Sequence, residues 1–144
     1  MGYTNYWECE TDFTDEEWKA VCEEAQYIKE ISGGYNRENM FRTLDSVDII
    51  EESILDNIQG EICFNGVADN GCETFYLKRK ATAFSFCKTR EMPYDIYVWH
   101  LLTFCQMIKK DFHARRDRWY WDKSRPLPKA LRPQKQIDRS GAVV

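Results

Sequence analysis

A chain of 144 residues with 43% hydrophobic and 15% aromatic residues is long enough to bury one core, and this composition excludes an intrinsically disordered protein. No apolar run reaches the roughly 18 residues of a transmembrane helix, so we expect no membrane span. The N-terminus lacks a basic segment followed by an apolar one, so we expect no secretory signal.

The formal net charge of −4 is unevenly distributed along the chain. Residues 1–77 hold 18 acidic and 4 basic side chains, whereas residues 78–144 hold 6 acidic and 16 basic ones. One interpretation is that the two halves attract each other within one fold. The other is that the basic half faces an anion, such as a nucleotide, a nucleic acid or an acidic partner.

The N-terminal part of the chain predicts a strand followed by a helix. Residues 3–9 are rich in Tyr, Trp and Thr, which favour strands. Thr14 and Glu17 have the spacing of a capping box, and apolar residues then recur at helical intervals. We therefore predict a strand over 3–9 and a helix over 15–31.

The middle of the chain predicts four short strands. Residues 46–50 have the pattern of a strand, and a short helix is expected near 51–57. Two turn signals, Asn65-Gly66 and Asp69-Asn70-Gly71, predict a hairpin between strands 61–65 and 73–77, and a further strand is expected over 84–88. The Phe, Ile and Leu residues of this region, Phe84 and Phe86 among them, are assigned to the strand core.

The C-terminal part predicts a second long helix and then a tail. Pro93 suits a first helical turn, and apolar residues repeat at helical spacing over 93–112. From 114 onward the chain is basic, aromatic and contains three of the four prolines. We therefore predict one α+β domain over residues 1–113 and a C-terminal tail over 114–144. The domain is expected to contain a small, mainly antiparallel sheet, with the two long helices packed on one face of that sheet.

Six cysteines are scattered through the predicted strands and helices. Without a secretory signal, reduced thiols in the core are favoured over disulfides. The chain has no CxxC pair and only two histidines, so we predict neither a zinc site nor another cofactor.

Several short motifs together carry a family resemblance over roughly residues 1–105. They are Met1-Gly2-Tyr3-Thr4-Asn5-Tyr6-Trp7, Phe64-Asn65-Gly66, Cys72-Glu73-Thr74-Phe75, Phe86-Cys87-Lys88-Thr89 and Pro93-Tyr94-Asp95. In this combination the chain resembles a group of small uncharacterised proteins of phages, large viruses and microbes. The resemblance implies a viral or mobile-element source, and by analogy a protein that binds or inhibits a host component.

Polar residues at strand ends predict a ligand site in the body of the domain. Lys88, Thr89 and Arg90 precede a helix whose first turn contains Asp95, and free N–H groups beside such residues can bind an anion. Asn65 and Glu73 are expected to read a base or ribose, and aromatic residues are expected to form the walls: Tyr6, Trp7, Phe75 and Tyr94. The alternative is that Glu73 pairs with Lys88 or Arg90 and the other polar residues only stabilise turns.

An enzyme is the less favoured class. Cys87 with His100, or Cys72 beside Glu73, would be candidate pairs, but cysteines that alternate with Phe in strands are typical of inert buried thiols. We predict no catalytic residue.

The sequence leads to two functional hypotheses. The first is that the protein binds, without catalysis, a phosphate-bearing small molecule such as a nucleotide signal. This binding would take place in the host cytoplasm and would interfere with host defence. The second is an inhibitor or interaction protein that binds a host protein or nucleic acid through basic and aromatic residues of the tail. Those residues are Arg115, Arg116, Arg118, Trp119 and Trp121.

Overall fold

In a computed structural model, the described residues are 3–32, 47–49 and 60–117. They form six strands, two α-helices and one 3₁₀ turn, and both sheets are antiparallel, so the predicted α+β class is confirmed. The elements in chain order are β1 (Thr4–Cys9), α1 (Asp15–Ile31), β2 (Val47–Ile49), β3 (Glu61–Gly66), the 3₁₀ turn (Ala68–Asn70), β4 (Phe75–Lys78), β5 (Thr82–Lys88), α2 (Asp95–Ile108) and β6 (His113–Arg116).

Helix α1 has the predicted bounds and the predicted capping box. The Thr14 hydroxyl accepts a hydrogen bond from the Glu17 N–H at 3.1 Å, and the Glu17 carboxylate accepts one from the Thr14 N–H at 2.8 Å. These bonds satisfy two backbone donors at the helix start. Its apolar stripe is fully buried and consists of Trp18, Val21, Ala25 and Ile28.

The strands divide into two sheets of three, where the sequence predicted one small sheet. The first sheet has the order β5-β1-β6 and the second has the order β2-β3-β4. β1 lies in the centre of the first sheet because both of its edges are paired, with β5 on one side and β6 on the other. The strand predicted over 84–88, β5, thus belongs to the sheet of β1 and not to that of the hairpin β3–β4.

Helix α2 begins at Asp95 and ends at Ile108, whereas 93–112 was predicted. A tertiary contact of the next residue accounts for its early end. Lys109 has an extended backbone, with φ −123° and ψ 111°, and its buried ammonium group donates to the Thr11 hydroxyl at 2.6 Å. The chain then turns back and pairs with β1 as β6. Residues 114–116, which the sequence assigned to the tail, are therefore part of the first sheet.

The other predicted elements differ only at their ends or are not described. β2 falls within the predicted strand 46–50, and β4 begins at Phe75, two residues after the predicted start. The predicted short helix near 51–57 and the tail residues 118–144 lie outside the described residues.

Aromatic side chains join the two sheets into one core. The Trp7 ring of β1 lies 5.2 Å from the Phe75 ring of β4, which in turn lies 5.0 Å from the Phe64 ring of β3. All three are buried, together with the inner faces of both helices. The inner face of the first sheet is thus covered by the second sheet and the helices, and its other face is open.

The sequence predicted no membrane-spanning segment. In the described part of the chain, neither helix is long and apolar enough to cross a membrane.

Candidate functional site

A buried polar cluster of four side chains lies where α2 begins beside the first sheet. It consists of Asn5, Thr89, Asp95 and Arg116. One oxygen of Asp95 accepts hydrogen bonds from the Asn5 amide at 2.8 Å and from the Thr89 hydroxyl at 2.6 Å, and the other oxygen pairs with Arg116. Arg116 Nε also donates to Asn5 Oδ1 at 3.1 Å.

The guanidinium group of Arg116 is held between two aromatic rings. Its Cζ lies 4.8 Å from the ring of Tyr3 and 4.7 Å from that of Trp99. Cation–π contacts of this kind strengthen when water is excluded, and only 11% of this side chain is exposed. Arg116, predicted to bind a partner, therefore fixes β6 to the body of the domain.

This cluster fills the position at which the sequence predicted an anion site. Asp95 lies in the first turn of α2, where a carboxylate interacts favourably with the helix dipole. Thr89 is fully buried and its hydroxyl already donates to Asp95. An external phosphate at this point would have to displace the protein's own carboxylate. Thr89 and Asp95 thus come together as predicted, but as partners of each other.

Asn65 stabilises the loop between β3 and β4. Its amide nitrogen donates to the Cys72 carbonyl at 2.9 Å and to the Thr74 hydroxyl at 3.1 Å. Its amide oxygen accepts from the N–H of Gly66 at 2.7 Å and from that of Cys72 at 3.1 Å. All the polar atoms of this side chain have partners inside the loop.

Glu73 links the same loop to the end of β5. Its carboxylate accepts a hydrogen bond from the Lys88 N–H at 2.8 Å, and its backbone N–H donates to the Lys88 carbonyl at 3.2 Å. The Glu73 carbonyl accepts from the Tyr94 hydroxyl at 2.6 Å. Glu73 thus pairs with Lys88, as in the alternative interpretation, through the backbone of Lys88.

The side chains of Lys88 and Arg90 are exposed. Arg90 and Glu91 have φ values of 55° and 59°, which place both in the left-handed region, and the Met92 N–H closes this turn on the Thr89 carbonyl at 3.1 Å. Both cations are therefore accessible to an external anion.

The predicted aromatic walls lie on opposite faces of the first sheet. Trp7 and Tyr94 are buried in the core, and burial raises the pKa of the Tyr94 hydroxyl well above its usual range. Tyr6 is the next residue along β1 from Trp7, so it points to the opposite face. Phe75, the fourth predicted wall, is also buried, so of the four only Tyr6 can contact a ligand on the open side of the sheet.

Phe84 and Phe86 lie on that open side, and their assignment to the core was wrong. Their exposed fractions are 55% and 54%. Side chains alternate along β5, and the inward position is taken by Cys87, which is buried. Alternation alone could not show which set faces the core; the pairing with β1 decides it, since it places Phe86 beside Tyr6 and Ser85 beside the buried Trp7.

Tyr6, Phe84, Phe86 and Arg115 form one continuous surface, which we call the outer aromatic face. The rings of Tyr6 and Phe84 are 5.9 Å apart, and those of Phe84 and Phe86 are 6.0 Å apart. The guanidinium carbon of Arg115 lies 5.2 Å from the centre of the Tyr6 ring. Strand pairing places Tyr6 between Phe86 of β5 and Arg115 of β6.

Charges of both signs surround the outer aromatic face. Lys88 and Arg115 carry positive charge on it, and Glu8 and Asp117 carry negative charge. Asp117 accepts a hydrogen bond from the Thr4 N–H at 3.1 Å. Its hydrogen bond with the Tyr6 hydroxyl raises the pKa of Tyr6. Of the remaining predicted partner-binding residues, Arg118, Trp119 and Trp121 lie outside the described part of the chain.

The candidate catalytic pairs have other partners. Burial raises the pKa of the Cys87 thiol to about 12, and this thiol donates to the Glu73 carbonyl at 3.4 Å. His100 is fully buried, and its Nε2 lies 2.6 Å from a carboxylate oxygen of Glu24, which joins α2 to α1. A thiol so strongly protonated is a poor nucleophile.

All six cysteines are free thiols. Over residues 3–32, 47–49 and 60–117, no group of three or more His, Cys, Asp or Glu side chains is placed to hold a metal ion.

Comparison of the chain with family models, with curated proteins and with solved structures finds no match.

Proposed function

We propose that this protein is a non-catalytic binding protein that holds a phosphate-bearing ligand, single-stranded nucleic acid, on its outer aromatic face. The observation that supports this most is the row Phe86, Phe84, Tyr6 and Arg115, in which each group contacts the next on an open sheet surface. Aromatic rings stack on bases of any sequence, and an adjacent guanidinium group adds both stacking and attraction to phosphate.

The spacing of the rings favours a single strand over a duplex. Neighbouring rings lie 5.9 and 6.0 Å apart. Bases that remain stacked on one another are only about 3.4 Å apart along a strand. Successive bases must therefore separate from one another to stack on successive rings. A single strand can do this, whereas a paired strand would first have to lose its base pairs.

The charges support a phosphate-bearing ligand in part. Lys88 and Arg115 lie on the face, and residues 118–144 add seven basic and two acidic side chains directly after β6. Glu8 and Asp117 oppose them on the face itself. Stacking on the three rings therefore carries most of the affinity of the body of the domain, and Arg118, Trp119 and Trp121 of the tail add to it.

The resemblance to proteins of phages and large viruses gives this binding a context. A viral protein that holds single strands in the host cytoplasm would sequester a nucleic acid or a nucleotide signal on which host defence depends. No chemical step is needed for such a role.

The test is binding of fluorescent single strands of roughly 12 nucleotides, measured by anisotropy. Phe84→Ala and Phe86→Ala are each expected to weaken binding by about 1 to 3 kcal/mol, or about 5- to 150-fold. Tyr76→Ala is the matched control, because Tyr76 is 50% exposed but lies on β4 in the second sheet.

Three outcomes would overturn the proposal. They are no binding of any strand, equal weakening by Tyr76→Ala, and binding of the paired duplex as tight as that of the single strand. Mononucleotides and cyclic nucleotides serve as competitors. If one of them binds as tightly as the strand, the ligand is a small molecule. In the chain of 144 residues, the double substitution Trp119→Ala, Trp121→Ala tests the predicted contribution of the tail.

A further inference from the structure

An open cleft adjoins the outer aromatic face at one end of the first sheet. The pairing of β1 with β5 shifts register between Trp7 and Cys9, and such bulges redirect side chains at the end of a ladder. The cleft beside it has a volume of about 940 Å³. We call it the bulge cleft, and it is lined by Glu8, Cys9, Glu10, Ala81, Thr82, Ala83, Lys110, Asp111 and His113.

A smaller cavity connects the bulge cleft to the aromatic rings. Its volume is about 50 Å³, and Tyr6, Phe84 and Arg115 contribute to its wall. Glu8 and His113 line both cavities, and these two residues are paired across β1 and β6. A strand stacked on the outer aromatic face would therefore place its next base at Glu8 and His113.

The chemistry of Glu8 limits which base fits there. Its carboxylate is exposed and has no hydrogen-bond or ion-pair partner among the described residues. An ionised carboxylate only accepts hydrogen bonds. The acidic residue Asp111, in the same cleft, differs because its carboxylate already accepts from Lys109 and Thr11.

We infer that Glu8 reads the Watson–Crick edge of a guanine, so that the protein prefers strands that contain guanine. This inference rests on the proposed binding of single strands. Guanine offers two adjacent N–H donors on that edge, its ring N1–H and its exocyclic amino group, which match the two oxygens of a carboxylate. Adenine and cytosine offer one donor group beside an acceptor, and thymine offers one donor between two acceptors. In a single strand this edge is free to be read.

The experiment compares labelled thymine strands that carry one central guanine, adenine, cytosine or hypoxanthine. Hypoxanthine keeps the ring N–H of guanine and lacks its amino group. The native protein is expected to bind the guanine strand about tenfold more tightly than each of the others. Glu8→Gln is expected to bind all of them within about twofold of one another, because an amide presents a donor where the carboxylate presents an acceptor.

Glu16→Gln is the matched control, since it removes the same charge from an exposed position on α1, away from the cleft, and is expected to keep the preference. A native protein without preference for guanine, or a Glu8→Gln variant that retains it, would overturn the inference. Failure of the proposed function gives a different result, because then no strand binds or the substitutions at Phe84 and Phe86 have no effect. Urea unfolding of each variant verifies that it is folded.

Discussion

The side-chain amide of Asn5 donates a 2.8 Å hydrogen bond to the carboxylate of Asp95, 90 residues further along the chain. The bond connects the central strand of the first sheet to the first turn of α2. The same carboxylate also holds Thr89 and Arg116, so three separate segments meet at one buried charge.

Asp95→Ala is expected to destabilise the fold by about 3 kcal/mol, since it leaves the buried guanidinium group of Arg116 without its counter-charge. Asn5 and Thr89 lose an acceptor as well. The measurement is urea unfolding at neutral pH. Asp69→Ala is the control, because Asp69 is exposed in the 3₁₀ turn, and its effect is expected to stay within about 0.5 kcal/mol. Equal midpoints for the two variants would show that the cluster does not stabilise the domain.

Asn65→Ala is expected to cost about 2 to 3 kcal/mol, because it removes four hydrogen bonds and leaves the N–H groups of Gly66 and Cys72 without acceptors. Asn65→Asp keeps an acceptor for those two groups, but it loses both donors and places an oxygen opposite the Cys72 carbonyl, so it is expected to lose stability, though less than Asn65→Ala. Unfolding curves of both variants, with Asn70→Ala from the same loop as a control, give the comparison. A loss at Asn65→Asp as large as at Asn65→Ala would contradict this division between acceptor and donor bonds.

The sequence predicted correctly those elements whose ends are set by interactions between neighbouring residues. The capping box of Thr14 and Glu17 gave both the start and the existence of α1. The end of α2 could not be predicted in this way, because Lys109 leaves the helix to reach Thr11, 98 residues away in sequence. The strand character of His113–Arg116 also depends on distant partners, since β6 exists only by pairing with β1.

The candidate site was predictable to a lesser extent. Thr89 and Asp95 were expected at one site because both lie at the predicted start of the second long helix. Asn5 and Arg116 complete their cluster through β1 and β6, and no local spacing relates these strands. The outer aromatic face was missed for another reason: Phe84 and Phe86 were assigned to the core by residue type, whereas the register of β5 against β1 decides which of its faces is buried.

The cysteines are expected to differ in reactivity according to burial. Burial raises the pKa of Cys87 to about 12 and that of Cys22 to about 11, and it raises that of Cys105 as well. At Cys87 the thiolate should be about 1000-fold rarer than in an unperturbed thiol, so alkylation at mildly alkaline pH is expected to be correspondingly slow. Cys72, which is half-buried, is expected to react first.

Peptide mapping by mass spectrometry after timed alkylation measures this order. The control is the same reaction in denaturant, where all six thiols should be modified at similar rates. Native-state modification of Cys87 as fast as that of Cys72 would show that the core around β5 opens readily.

The stability of the domain is expected to fall at acid pH through Asp111. Burial alone would raise the pKa of this carboxyl group, but hydrogen bonds from Lys109 and Thr11 outweigh that effect and hold the pKa well below its usual range. The folded state therefore has the lower pKa, so the stabilisation is complete above the unfolded value of about 3.9 and is lost as the pH falls below it.

We expect Asp111→Asn to be less stable than the native protein by about 2 kcal/mol at pH 7, and this difference should shrink towards pH 2. Urea unfolding of both proteins over this range measures it, with Asp69→Asn as the control whose difference should remain near zero. If the difference in unfolding free energy between Asp111→Asn and the native protein did not depend on pH, the ionised carboxylate of Asp111 would not be the group that holds the β1–α1 connection to the start of β6.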